Sequence, residues 1–192
     1  MSVSTEKLWD PLVRLFHWSI AFIFIANYFF NEAGDDWHQW LGYIAMAWLL
    51  VRFFWGFFGK GAARWSDFFP TGPRLARHIK ALVNKQDYHR LGHSPLGALV
   101  MIFMMLCMLL LGVTGYMMEE IDYFWGVDWV ETTHDWIADT LMALVIIHIC
   151  AALFESYRLK ENLPLSMVTG NRRTISTTKS TTESTPESTP EK

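Results

Sequence analysis

The chain has 192 residues, a formal net charge of −3, and a composition that is 52% hydrophobic and 16% aromatic. That is too apolar for an ordinary soluble domain of this length, and nothing in it points to a nucleic-acid partner. Mean hydropathy is only slightly positive because a polar tail and a basic loop dilute long apolar runs, and those runs decide the class.

Residues 1–11 read as a short arm ending in "WDP". Leu15–Asn31 follows, with His17 as its one group ionisable near neutral pH, and predicts a helix over about 12–31. The residues after it, "NEAGDDW", give no small-x-small cleavage site, so the run is a retained helix rather than a signal peptide. Trp37–Phe58 carries His38 and Arg52 and predicts a second helix over about 37–58. The connection Gly59–Gly92 holds seven Lys/Arg against two Asp. Within it, Pro73 suits a first helical turn, and Leu75, Ile79, Leu82 and Val83 fall on one face with Arg74, Arg77, Lys80 and Lys85 elsewhere. This pattern predicts a basic amphipathic helix lying on a membrane surface, with His78 and His89 solvated.

Pro95–Met118 runs for 24 residues without a charge and predicts a third helix over about 94–117. Trp136–Phe154 carries only Asp139 and His148 and belongs to a fourth, over about 133–157. Continuous rather than alternating apolarity excludes membrane strands. Residues 171–192 are almost all Ser, Thr, Pro, Glu and Lys and are expected to be disordered beyond a domain spanning 1–170. The fold expected is an all-α integral membrane four-helix bundle. Asn31–Trp37 and Met117–Thr133 carry three and five acids and no Lys/Arg. The positive-inside rule therefore puts the basic loop and both termini in the cytoplasm and the acidic loops outside. Cys107 and Cys150 both fall in apolar helices as packing residues, and no CxxCH or CxxC occurs.

The histidines carry the chemistry. His17, His38, His134 and His148 lie in or at the ends of apolar runs, where a polar group is costly. Depth along the helices pairs them. His17 and His148 lie toward the cytoplasmic side, whereas His38 and His134 open their helices from the outside. His134 and His148 are 14 residues apart, roughly 40° short of four full turns, so one helix face presents both rings about 21 Å apart. One face with two levels and a partner at each level suits two stacked bis-histidine haems. Arg52 stands 14 residues after His38, on the same face at the inner level, as a candidate partner for a haem propionate. Arg14, one turn before His17, is a second candidate. His93, at the entry to the third helix, is the rival ligand, and Asp139 is a candidate proton relay near a quinone. A zinc or copper transporter using the same histidines, or a haem-free membrane anchor, are the rival classes.

The stretches "WDPLVRLFHW", "HQWLGY", "VRFFWGFFG" followed by "ARWSDF", and "GHSPLGAL" together resemble the bacterial cytochrome b561 family over about residues 8–160. The resemblance is closest to the branch of b-type cytochrome subunits of nickel–iron hydrogenases. It implies a membrane bundle with two b haems, His17, His38, His134 and His148 as ligands, and electron transfer between quinone and a redox partner. In the bacterial inner membrane that partner would be a hydrogenase subunit or a periplasmic cytochrome c. The chain then acts as an electron-transfer subunit rather than a self-sufficient catalyst, a stand-alone quinone-linked oxidoreductase being the alternative. Ser94 stands where that pattern carries Asn.

Overall fold

A computed structural model describes residues 2–84 and 94–176. Four helices are long and apolar enough to cross a membrane: α1 (Pro11–Phe29), α2 (Asp36–Phe58), α5 (Pro95–Glu120) and α6 (Asp128–Leu159). Between α2 and α5 lie the single turn α3 (Trp65–Phe68) and the helix α4 (Gly72–Val83), and a short helix α7 (Leu163–Thr169) follows α6. The chain is therefore an all-α, multi-pass membrane bundle, and the even number of spans brings the two ends to one face, called here the terminal face. The loops 30–35 and 121–127 form the opposite, acidic face.

The ends of the helices follow from local chemistry. In "WDP", Asp10 caps α1 by accepting from Leu12 N at 2.8 Å, and Pro11 fills the first turn, where no amide hydrogen is needed. Ser94 caps α5 by accepting from Gly97 N at 3.1 Å. Ser is a good cap because its hydroxyl can accept an orphan amide hydrogen of the first turn. Helix α6 starts five residues earlier than its apolar run suggests. Asp128 and Glu131 occupy its first turn, where the helix dipole favours acids.

α1 packs on α2, α2 on α5, and α5 on α6, whereas α1 and α6 make little direct backbone contact. The core is small. Phe16, Ile23 and Phe24 of α1 meet Ala45 and Leu49 of α2, Cys107 and Met108 of α5, and Leu141 of α6. Large apolar side chains such as Phe22, Phe54, Leu106, Ile146 and Phe154 point outward, as a lipid-facing surface requires. Cys107 packs in the core as anticipated, but Cys150 lies on that outer surface.

Two expectations are corrected. The segment Asn171–Ser176 is not disordered. It forms strand β2, which pairs antiparallel with β1 (Ser2–Lys7) in the register Ser2↔Ser176 to Lys7↔Asn171. Composition alone identifies a polar chain but not a second polar segment able to satisfy its backbone, and that partner lies about 170 residues away in sequence. Residues 177–192 lie outside the described residues. The clasp continues through α7. Trp9 Nε1 donates to Ser166 Oγ at 3.1 Å, and the amides of Leu8 and Trp9 both donate to Gly170 O. Gly170 ends α7 with φ +84°, and a Cβ there would also crowd the Arg14 guanidinium at 3.1 Å.

His78 is the second correction. It is 4% exposed, not solvated, because α4 folds back against α5 with His78 turned inward. Ile79 and Val83, from the expected apolar face, remain exposed. Burial pushes the His78 imidazole below its usual value, and Arg158 adds to the shift while Glu155 opposes it. A histidine with a lowered folded-state pKa stabilises its seat above the unfolded value, about 6.5, and loses that contribution as pH falls. Acidification from pH 7.5 to 5.5 is thus expected to loosen α4, read as faster proteolysis after Arg77 or Lys80. His78→Phe should abolish the pH dependence.

Candidate functional site: two facing histidine pairs

The structure gathers the four intramembrane histidines into two pairs. The rings of His38 (α2) and His134 (α6) have centroids 6.2 Å apart at an interplanar angle of 53°. Those of His17 (α1) and His148 (α6) stand 6.3 Å apart at 54°. Helix α6 is continuous across both positions, so the pairs sit at two levels separated by about 21 Å along its axis.

The spacing fits a metal held between the rings. An imidazole–metal bond is about 2.0 Å and a ring nitrogen lies about 1.1 Å from its centroid, so two imidazoles on opposite sides of one metal place their centroids about 6.2 Å apart. Direct stacking or hydrogen bonding between the rings would not need that gap. The Nδ1 atoms of His17 and His38 are buried without a hydrogen-bond partner among the described residues. A histidine kept only for packing would be expected to satisfy that atom. No group of three or more His, Cys, Asp or Glu side chains forms a metal cage among the described residues. An axially ligated haem needs only two side chains, because the porphyrin supplies the other four nitrogens.

His134 is the best-held ring. Thr114, 7% exposed on α5, places Oγ1 2.8 Å from His134 Nδ1. The same hydroxyl donates to the Leu110 carbonyl at 2.8 Å, so its proton is already committed. With that proton on Leu110, Thr114 accepts from Nδ1–H, and His134 Nε2 is then the free acceptor, the tautomer a metal requires. Gly115 flanks the ring, and a Cβ there would make only an ordinary contact with Cε1, at 3.7 Å. On the other wall, Asn27 Nδ2 donates to the His38 carbonyl at 3.0 Å and ties α1 to the start of α2. This pair opens into a cavity of about 680 Å³ lined by residues of all four long helices, His38 and His134 included. Cofactor and ligand sites commonly have such volumes.

Thr114 is missing from the residues the sequence singles out, although it is the only Ser or Thr in the 24-residue uncharged run. A lone hydroxyl at that depth was the available signal.

The arginines divide. Arg52 is 4% exposed and continues the buried stripe Ala45, Leu49, Arg52, Gly56 of α2, so it faces the interior rather than reaching out to the interface. Its guanidinium lies 4.6 Å over the ring of Trp65, a contact worth about 2 kcal/mol when desolvated. Trp65 is anchored in turn by donating Nε1 to Phe53 O at 3.0 Å, and it can approach α2 only because position 56 is glycine: a Cβ there would collide with the indole. Arg14 is engaged on the terminal face, where Nη1 donates to Val168 O at 2.6 Å and holds α7. Asp139 accepts from Tyr28 Oη at 2.7 Å. His89 and His93 lie outside the described residues.

The bundle and its sites define a class of intramembrane helical proteins built around facing histidines on two levels. The sequence profile of the prokaryotic cytochrome b561 family matches residues 8–170, and the chain belongs to that family. It is thus a membrane b-type cytochrome of electron transfer, binding haem b. Neither the search of curated proteins nor the search of solved structures returned a match.

Proposed function

We propose that the chain is a dihaem cytochrome b that carries electrons across the bacterial inner membrane between the quinone pool and a redox partner. His38 and His134 hold one haem, and His17 and His148 hold the other. The observation that carries this reading is the spacing of both ring pairs, 6.2 and 6.3 Å, at two levels of one helix. When bound, haem b supplies a reversible one-electron couple. The chain's own residues do the rest. The imidazoles would hold the iron at each level, and Thr114 would set the tautomer of one of them. Arg52 brings a buried positive charge to the inner level, suited to a propionate. Arg14 is proposed for the same role through the donors that Val168 does not take. The apolar helix faces keep water from both levels.

Charge supports the orientation. Lys60, Arg64, Arg74, Arg77 and Lys80 gather on the terminal side, which is read as cytoplasmic. The periplasmic face then carries Glu32, Asp35, Asp36, Glu119, Glu120, Asp122, Asp128 and Glu131. Such a field attracts a basic redox protein, whether a hydrogenase subunit or a cytochrome c. The rate of electron exchange with a cationic cytochrome is expected to fall several-fold between about 10 mM and 150 mM salt, as the Debye length shrinks from about 30 to 8 Å. A flat stopped-flow response would remove the steering role.

The functional reading is tested by a reduced-minus-oxidised spectrum of the purified protein. A b-type spectrum reducible in two resolved potentiometric steps supports it. A spectrum without haem would reduce the chain to an anchor or metal carrier.

A further inference from the structure

We propose that Tyr28 and Asp139 form the headgroup site for a membrane quinol, entered sideways from the lipid between α1 and α6. The proposal rests on the dihaem reading and names where its small-molecule substrate reacts. Three observations place it. First, α1 and α6 make little direct backbone contact, unlike the packed pairs α1–α2, α2–α5 and α5–α6. Second, the 680 Å³ cavity that contains His38 and His134 is walled on this edge by Tyr28 and Asp139. Third, these two side chains bridge the gap through one hydrogen bond, Tyr28 Oη to Asp139 Oδ1, at 2.7 Å.

A carboxylate inside a membrane-spanning helix is costly, and one phenol hydrogen bond leaves most of its acceptor capacity unused. Asp139 lies five residues after His134, about 7.5 Å deeper along the same helix. It therefore stands below the acidic surface but beside the cavity that would hold the haem. A benzoquinol brings what this site lacks. Its hydroxyl donates to the free lone pairs of Asp139, its ring oxygen accepts from a re-aimed Tyr28 Oη–H, and its apolar ring and tail suit a lipid-side entry.

The reaction balances within the proposed function. Oxidation of one quinol to quinone releases two electrons and two protons. With haem b held by the two histidine pairs, its one-electron couple would accept those two electrons singly, one at each level. The first hydroxyl proton goes to the Asp139 carboxylate and on to water on the acidic face. The second follows when Asp139 has emptied. Glu131, two turns nearer that face, lines the same cavity on the way to the acidic surface.

The test uses the full-length haem-loaded protein with decylubiquinol as donor and decylubiquinone as ligand. Asp139→Asn keeps the acceptor for Tyr28 and removes proton acceptance. It is expected to retain two haems reducible by dithionite, while quinol-dependent reduction slows about 100-fold and loses its pH dependence. Tyr28→Phe is expected to weaken decylubiquinone binding about tenfold, read by quenching of tryptophan fluorescence, with haem content unchanged. Wild-type rates and wild-type pH profile in Asp139→Asn would overturn the site. So would a haem-loaded wild-type protein that dithionite reduces and the quinol does not. A wild-type protein without haem would instead sink the dihaem reading, and the two failures are told apart by the spectrum before any quinol is added.

Discussion

Alanine at His38 or at His134 is expected to remove one haem and leave the other. Each ring pair is one site, because a bis-histidine haem that loses either axial ligand keeps only half of its protein attachment. The double variant His38→Ala with His134→Ala should therefore match either single variant. The same holds for His17 and His148 at the other level. A cross-pair double, His38→Ala with His148→Ala, should bind no haem. The rings of His38 and His148 cannot share a metal, since about 21 Å of helix α6 separates the levels to which they belong. Pyridine haemochrome stoichiometry reads the whole series. Loss of both haems from a single variant, with normal helicity, would show that the two levels are not independent sites.

Thr114→Val is expected to weaken the His38–His134 haem by 10- to 100-fold and leave the other haem untouched. Valine nearly preserves the volume of threonine but cannot accept the Nδ1–H of His134. That hydrogen is then buried without a partner, and the ring loses both its orientation and its fixed tautomer. Thr114→Ser keeps the hydroxyl and should restore affinity. The change is measured as haem loss on competition with excess apomyoglobin, together with a rise in midpoint potential of one haem, because a less basic imidazole stabilises the ferric state less. Equal loss from Val and Ser variants would assign Thr114 to packing alone.

Much of this arrangement is legible in the sequence, for identifiable reasons. Membrane spans are set by length and apolarity, so four runs gave four helices with ends displaced by at most a few residues. The relation of His134 to His148 depends only on helical geometry, and depth from each end of a span pairs each with a ring on another helix. The Ser94 cap and the Pro11 start are local and follow from the chain itself. What escaped depends on tertiary partners. Thr114 matters because α5 sets it against α6. Tyr28 matters because α1 ends across a cavity from Asp139. The terminal strands need each other, and neither shows an apolar alternation that would announce a strand. His78 is buried by the way α4 turns back, a property of the loops and not of the amphipathic pattern, which left Ile79 and Val83 outside. Arg14, one turn before His17, also holds α7 through the Val168 carbonyl, a tertiary contact that its place in the sequence does not announce.

Haem per polypeptide in the purified wild-type protein tests the central claim most directly. Two facing histidine pairs predict two haem b per chain, both low-spin and six-coordinate. A ratio of one, or a five-coordinate high-spin component that persists at full loading, would contradict the assignment of both ring pairs as axial sites.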